Sequence, residues 1–117
     1  MRKVVIESPF KGTTERTQEQ HRAYLNHALQ DAIRRGEAPF ASHHAYPGVL
    51  DDDNLKERTI GIAAGLCWGE MADLVAIYQD MGVSPGMTQA IDHYKAMGKP
   101  IEYRKLDWPI VKAILEM

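Results

Sequence analysis

The sequence has a single cysteine and no long apolar run, which argues against a disulfide-bonded or membrane-spanning protein. Its one cysteine, Cys67, cannot form an internal disulfide, which is typical of a reducing compartment such as the cytoplasm. No apolar run approaches the roughly 20 residues that a bilayer-spanning helix needs. Residues 1–9 pass from charges directly into a strand pattern, which is not the pattern of a secretory signal. These absences predict a cytoplasmic protein without a membrane segment.

Motifs for nucleic acids, dinucleotides and metals are also missing. The formal net charge is −2 and no basic run occurs, so we expect no nucleic-acid partner. No GxGxxG follows a strand pattern, and no Gly-Lys-Ser/Thr completes a Walker loop. His43 and His44 precede the acidic residues 51–53, but adjacent histidines point in different directions and no HExxH spacing supports them. We therefore expect no metal and no cofactor.

Strand-like and helix-like segments alternate four times along the 117 residues, of which 44% are apolar. The predicted strands are the β-branched run at residues 4–6, which stops at Ser8-Pro9, and residues 38–42, 73–80 and 100–106. The predicted helices are residues 13–36, a segment from about Asp53 to residue 72, residues 83–98, and a short last helix capped by Asp107. Residues 42–53 are expected to be irregular. This alternation predicts one α/β domain, residues 1–117, with a mainly parallel sheet in the order 2-1-3-4 and helices on both faces.

Ligands of such sheets bind at the carboxyl ends of the strands, which directs attention to the turn Ser84-Pro85-Gly86-Met87. Ser84 can cap a helix, Pro85 suits its first turn, and Gly86 lets a ligand approach the backbone. Backbone N–H groups of Ser84, Gly86 and Met87 and the Ser84 hydroxyl would then bind a phosphate or sugar oxygen. An ordinary capped helix explains the same residues, so both interpretations stay open.

The loop after the first strand, Ser8-Pro9-Phe10 with Gly12, lies at the same predicted level. Phe10 could stack on a planar base and Ser8 could bond a sugar or phosphate. The alternative is that Phe10 fills the core at the top of the sheet.

Two residues of the second loop and the following helix are further candidates. His43 is interpreted as part of a polar pocket wall. Arg58 could reach an anionic ligand, although a surface ion pair is the more common role of such a residue.

Three glycines, at positions 61, 65 and 69, recur every four residues on one face of the second helix. Glycine costs about 1 kcal/mol in a helix interior, so the close approach of another segment is the physical explanation. That segment belongs either to the same chain or to a partner subunit, and the second alternative favours a homodimer or larger homo-oligomer. Cys67 on this helix is expected to be buried and inert.

Several of these segments together resemble the nucleoside 2-deoxyribosyltransferase-like proteins. The matching segments are ESPFKG, APFASHHAYPGVLDDD with ERTIGIAAG, ADLVAIYQD, VSPGMTQAI and GKPIEYRKL. Among that superfamily, the chain is most similar to small phage- and bacteria-encoded proteins known only as a domain of unknown function. The resemblance implies a flavodoxin-like fold, a pocket for nucleosides or nucleoside monophosphates, and oligomers whose pockets are often completed by a neighbouring subunit.

The resemblance also implies a departure from the chemistry of those enzymes. Their catalytic glutamate lies four residues after the glycine that matches Gly86, and this chain has Ala90 there. Alanine cannot attack an anomeric carbon. Asp80 stands where the superfamily often has an acid that contacts the sugar or assists proton transfer.

Two hypotheses follow for the function. The first is a protein that binds a nucleotide-like molecule without cleaving it and, if the gene is viral, sequesters a nucleotide signal. The second is an N-glycosidase or deoxyribosyltransferase that works through Asp80 or another carboxylate.

Overall fold

The computed structural model describes residues 1–117 and contains four strands and five helices. In chain order the elements are β1 (Lys3–Glu7), α1 (Gln18–Arg34), β2 (Ala38–Phe40), α2 (Ser42–Ala45), α3 (Leu55–Met71), β3 (Leu74–Tyr78), α4 (Pro85–Ala96), β4 (Ile101–Arg104) and α5 (Trp108–Leu115).

The four strands form one parallel sheet in the order β2-β1-β3-β4, as the alternation of segments predicts. Val5 lies beside Phe40 on one side and Val75 on the other, so β1 and β3 occupy the centre. All five residues of β3 are buried, which explains its continuous apolar sequence. The fold class predicted from the sequence is therefore confirmed.

Alternate residues of β3 face two different apolar layers. Tyr78 points into the larger layer, which it shares with Tyr24 of α1 and Val111 of α5. Ile77 points into the smaller layer with Met87 and other residues of α4. The sheet thus separates two apolar clusters, one packed against α3 and α4 and the other against α1 and α5.

β2 is a short edge strand that contains a proline. Its three residues are Ala38, Pro39 and Phe40, and the Ala38 N–H donates to the Arg2 carbonyl at 2.8 Å. Prolines in sheets are confined to such edges because they cannot donate to a ladder.

The N-terminal cap of α4 agrees with the sequence pattern, whereas those of α3 and α5 differ from it. Ser84 caps α4 with Pro85 in the first turn, as predicted. The cap of α3 is Asn54, whose side chain accepts from two backbone N–H groups, one residue after the Asp53 at which the sequence pattern places the start. Asp107 occupies the N-cap position of α5 but makes no capping bond with its side chain. Residues 42–53, predicted to be irregular, include the one-turn helix α2.

The glycines of α3 make room for segments of the same chain. A Cβ at Gly65 would lie 3.0 Å from Ser42 of α2, and one at Gly61 would lie 3.1 Å from the Leu50 side chain. A Cβ at Gly69 would collide with the Tyr94 ring of α4. Packing within the chain therefore explains the spacing of the glycines. Cys67 is exposed, so the expectation of a buried thiol was wrong.

Candidate functional site

A cavity of about 440 Å³ lies at the carboxyl end of β1, between α2, α3 and the start of α4. Small-molecule sites commonly have volumes in this range, and parallel sheets bind ligands at this end of their strands. The three loops singled out by the sequence pattern all contribute to the wall. Five of the predicted site residues line the cavity: Phe10, His43, Arg58, Ser84 and Gly86.

The first turn of α4 keeps one free backbone donor at the cavity. The Ser84 hydroxyl accepts the Met87 N–H at 3.2 Å, and the Ser84 carbonyl accepts the Thr88 N–H at 3.0 Å. Pro85 has no N–H, so the N–H of Gly86 is the one that lacks an acceptor within this turn. Of the three backbone N–H groups expected to bind a ligand, only that of Gly86 is therefore free, and it lies at the positive end of the helix.

The space in front of Gly86 is open. A Cβ built at this position would have no atom nearer than the Ser84 Oγ, at 4.0 Å. A ligand atom can thus approach the backbone here, as the sequence predicts for a glycine at this position.

Charged side chains of both signs line the cavity. Lys11 lies 3.7 Å from Asp52, and both side chains are close to half exposed, so their attraction is weak. Glu57 accepts a 3.4 Å hydrogen bond from the Asp51 N–H. Arg58 lines the cavity and forms no ion pair within the chain, which leaves its guanidinium available to an anion.

Phe10 and His43 form an aromatic pair at the cavity wall. Their ring centroids are 4.8 Å apart with an angle of 32° between the planes. Phe10 is 92% buried, so it both fills the top of the core and contributes to the wall. His43 is exposed, but desolvation by the atoms around its ring lowers its pKa despite the opposing charge of Asp52, which favours the neutral imidazole at pH 7.

Glu7 is a site residue that the sequence interpretation missed. It is the last residue of β1, it lines the cavity, and burial raises its pKa from 4.5 to about 7. Its neighbour across the sheet is Ile77, so its side chain starts on the same face as α4. An acid directly after a buried apolar run, at the carboxyl end of a strand, was the available signal.

Ala90 also lines the cavity. It is buried in the small apolar layer with Ile77 and Met87. The wall of the cavity is therefore apolar where α4 meets the sheet.

Residues 2–104 match a family described as a domain of unknown function, DUF7768. The chain belongs to this family. No curated protein matches the chain.

A solved structure is similar to this DUF7768 chain in fold. It is the 2-deoxyribosyltransferase of the psychrotolerant bacterium Bacillus psychrosaccharolyticus, described as a biocatalyst for the synthesis of nucleosides. The TM-score is 0.69 at 16% sequence identity, and the match covers 95% of this chain and 80% of that chain. The likeness confirms the deoxyribosyltransferase-like fold implied by the sequence resemblance.

Asp80 of the DUF7768 chain does not line the cavity. Its carboxylate accepts a 2.6 Å hydrogen bond from the Tyr24 hydroxyl and a 2.8 Å bond from the Leu106 N–H. These partners lie on the α1 side of the sheet, away from α4. The position of Asp80 after β3 agrees with the prediction, but the direction of its side chain does not.

Four other predicted site residues also lie away from the cavity wall. Ser8 and Pro9 are buried, and the Ser8 hydroxyl has no hydrogen-bond partner. Met87 packs in the small apolar layer, where its sulfur accepts from the Ser84 N–H at 3.4 Å. Gly12 borders a neighbouring depression with Gln18.

The chain contains no group of three or more His, Cys, Asp or Glu side chains that could hold a metal ion. None of its helices combines the length and the apolar character required to cross a membrane.

Proposed function

We propose that this chain binds a nucleoside- or nucleotide-like molecule in the cavity between α2, α3 and α4 and does not cleave it. The observation that carries the proposal is the free N–H of Gly86 at the positive end of α4, at a cavity that Lys11 and Arg58 also line. An anionic or oxygen-rich group of the ligand would lie at this end.

The remaining wall suits a planar ring. Phe10 and Tyr46 contribute aromatic surface, and Ile62 and Leu66 contribute aliphatic surface. The fold is shared with a protein whose description names nucleosides as its products, which supports a nucleoside-like ligand.

Ala90 favours binding over cleavage. A methyl group at the position of the superfamily glutamate offers no nucleophile and no charge for an oxocarbenium-like transition state. Retention of a ligand without conversion is what sequestration of a nucleotide signal would require.

An N-glycosidase or deoxyribosyltransferase is the second candidate, because three other carboxyl groups line the cavity. They belong to Glu7, Asp52 and Glu57. Asp80, the carboxylate considered first from the sequence, is a weaker candidate because it is bonded to Tyr24 and Leu106 instead.

Ligand identification and base release separate the two candidates. Protein purified under native conditions would be denatured and the released small molecules identified by mass spectrometry. The same protein would be incubated with labelled nucleosides and nucleoside monophosphates. Binding without free base supports the first candidate, and release of base that Glu7→Gln, Asp52→Asn or Glu57→Gln abolishes would replace it with the second.

We also propose that two copies associate through α3. Only one of its 17 residues is buried, and several large apolar side chains of this helix face solvent. The exposed members are Leu55, Ile60, Ile62, Trp68 and Met71. At about 100° per residue, Ile60, Trp68 and Met71 share one side of the helix. An exposed apolar helix side of this kind is typical of an interface. We expect the partner to be a second copy of the chain, because two copies can pair the same α3 surface about a two-fold axis.

A further inference from the structure

Glu7 occupies a position where an apolar residue would continue the face of β1. Val5 and Glu7 alternate onto the side that faces α4, beside Val75 and Ile77 of β3. Val5, Val75 and Ile77 are buried aliphatic residues, whereas Glu7 ends in a carboxyl group at the edge of the cavity. Packing of this apolar face does not require the Glu7 carboxyl, because a polar group beside apolar residues costs free energy unless it has a hydrogen-bond partner.

No group of the chain satisfies the Glu7 carboxyl. It forms no ion pair: of the two cations that line the same cavity, Lys11 lies against Asp52, and Arg58 is not within ion-pair distance of Glu7. Burial is the cause of its raised pKa, about 7, and no neighbouring cation offsets it. The other ionisable groups around the cavity are few: Lys11, His43, Tyr46, Asp52, Glu57 and Arg58 on the wall, and Tyr94 behind it on α4.

We propose that Glu7 is the base-recognising residue of the cavity and binds heterocycles that present an amino group beside an unprotonated ring nitrogen. This inference rests on the proposed function and adds the chemical edge that the site recognises. Adenine and cytosine present such an edge, with an amino group beside a ring nitrogen.

The hydrogen-bonding capacity of a neutral carboxyl group explains the selection. Its hydroxyl donates to the ring nitrogen while its carbonyl oxygen accepts from the amino group, so two parallel bonds form. An ionised carboxylate has acceptors alone and faces the lone pair of the ring nitrogen. Binding through Glu7 therefore requires the protonated form, and it weakens as the pH rises through the pKa of this residue.

Glutamine is the matched replacement, because its amide carries one donor and one acceptor at every pH. The experiment titrates AMP and CMP, and analogues of each that lack the exocyclic amino group, into wild type, Glu7→Gln and Glu7→Leu at pH 6 and pH 8. Asp92→Asn, an exposed acid of α4 outside the cavity, is the control. The ligand phosphate titrates in the same range, so each pH effect is measured relative to Glu7→Gln.

For wild type and Asp92→Asn, the affinity for AMP or CMP is expected to fall about ten-fold from pH 6 to pH 8, relative to Glu7→Gln. The analogue without the amino group should bind roughly two- to ten-fold more weakly than its parent to wild type, and no more weakly to Glu7→Leu. Glu7→Leu places an apolar residue on an apolar face, and circular dichroism verifies that it folds.

Two results overturn the inference in different ways. Nucleotide binding that Gly86→Val weakens, but whose pH dependence is the same in wild type and Glu7→Gln, would remove the role of Glu7 and leave the proposed function standing. If none of the nucleotides binds wild type at either pH, the proposed function and this inference both fail.

Discussion

The Tyr24 hydroxyl and Asp80 exchange two hydrogen bonds across the α1 side of the sheet. The hydroxyl donates to the carboxylate at 2.6 Å and accepts the Asp80 backbone N–H at 3.0 Å. The same carboxylate oxygen accepts the Leu106 N–H at 2.8 Å, which ties the loop after β4 to the end of β3. Asp80 thus joins three segments of the fold, and this structural role explains its position without a ligand.

Asp80→Ala is therefore expected to lower stability and to leave ligand affinity unchanged. Loss of hydrogen bonds to a charged group typically lowers the free energy of unfolding by about 1.5–3 kcal/mol. Urea denaturation measures this change, and calorimetric titration measures the affinity. Asp107→Ala is the control, because this aspartate makes no capping bond and its replacement should change stability by less than about 0.5 kcal/mol. A loss of affinity in folded Asp80→Ala would return Asp80 to the site.

A second prediction concerns the buried ion pair of Glu37 and Arg104. The guanidinium donates to both carboxylate oxygens, at 2.8 and 2.7 Å, and both side chains are at most 4% exposed. Glu37→Gln removes the charge of the buried partner, while the Arg104 Nε still donates to Glu102 at 2.9 Å. We therefore expect a loss of about 3 kcal/mol in the free energy of unfolding, the low end for a broken buried pair. Glu116→Gln, which removes the exposed pair with Lys112, should change it by less than about 1 kcal/mol.

The same pair predicts acid sensitivity. Hydrogen bonds from Arg104 hold the pKa of Glu37 below its ordinary value of 4.5, against the opposing effect of burial. A lowered pKa stabilises the folded state above the unfolded-state value, and that stability is lost as the pH falls towards the folded-state value. Denaturation midpoints of wild type should decrease below about pH 4.5, by more than those of Glu37→Gln. Equal decreases in the two proteins would show that other carboxylates dominate.

A third prediction tests the start of α4. Gly86→Val places a branched side chain in the open space of the cavity, where a ligand would meet the free N–H. The affinity for a nucleotide should fall at least ten-fold, as expected for the loss of a hydrogen bond to a charged group. Ala96→Val, at the exposed end of the same helix, carries the same side chain away from the cavity and should bind normally. Equal affinities of the two variants would locate the ligand elsewhere.

A fourth prediction tests association through α3. Trp68 is 55% exposed on this helix, and Trp68→Glu would place a charge in the proposed interface. Sedimentation at tens of micromolar should give a dimer for wild type and a monomer for the variant. Trp108→Glu, which changes a 63% exposed tryptophan on α5, should remain a dimer. A monomeric wild-type protein at this concentration would contradict the prediction directly.

The sheet was predictable from the sequence because buried β-branched runs and helical spacing are local signals. Ser84 and Pro85 could likewise be assigned as a helix start from their chemistry alone. Local signals did not predict on which face of the sheet a side chain at the end of a strand would lie. Asp80 shares its parity with Tyr78 and so points toward α1, whereas Glu7 shares its parity with Val5 and points toward α4.

Exposure was harder still to predict for α3. Its apolar sequence resembles that of a buried helix, and the expectation for Cys67 followed from that resemblance. The glycines explain the difference, because they let the Ser42 and Tyr94 side chains pack closely on one side while the rest of the helix faces outward.

The proline of the edge strand limits how folded copies can join. In a parallel pair alternate residues point their N–H groups the same way, so Ala38 donates inward to Arg2 and Pro39 faces the free edge. That edge presents a carbonyl acceptor and no donor, and an added strand would find no partner for its own carbonyl groups. Strand addition between folded molecules is thus confined to β4. Since a molecule with one usable edge can join only one neighbour in this way, strand addition by itself ends at a pair.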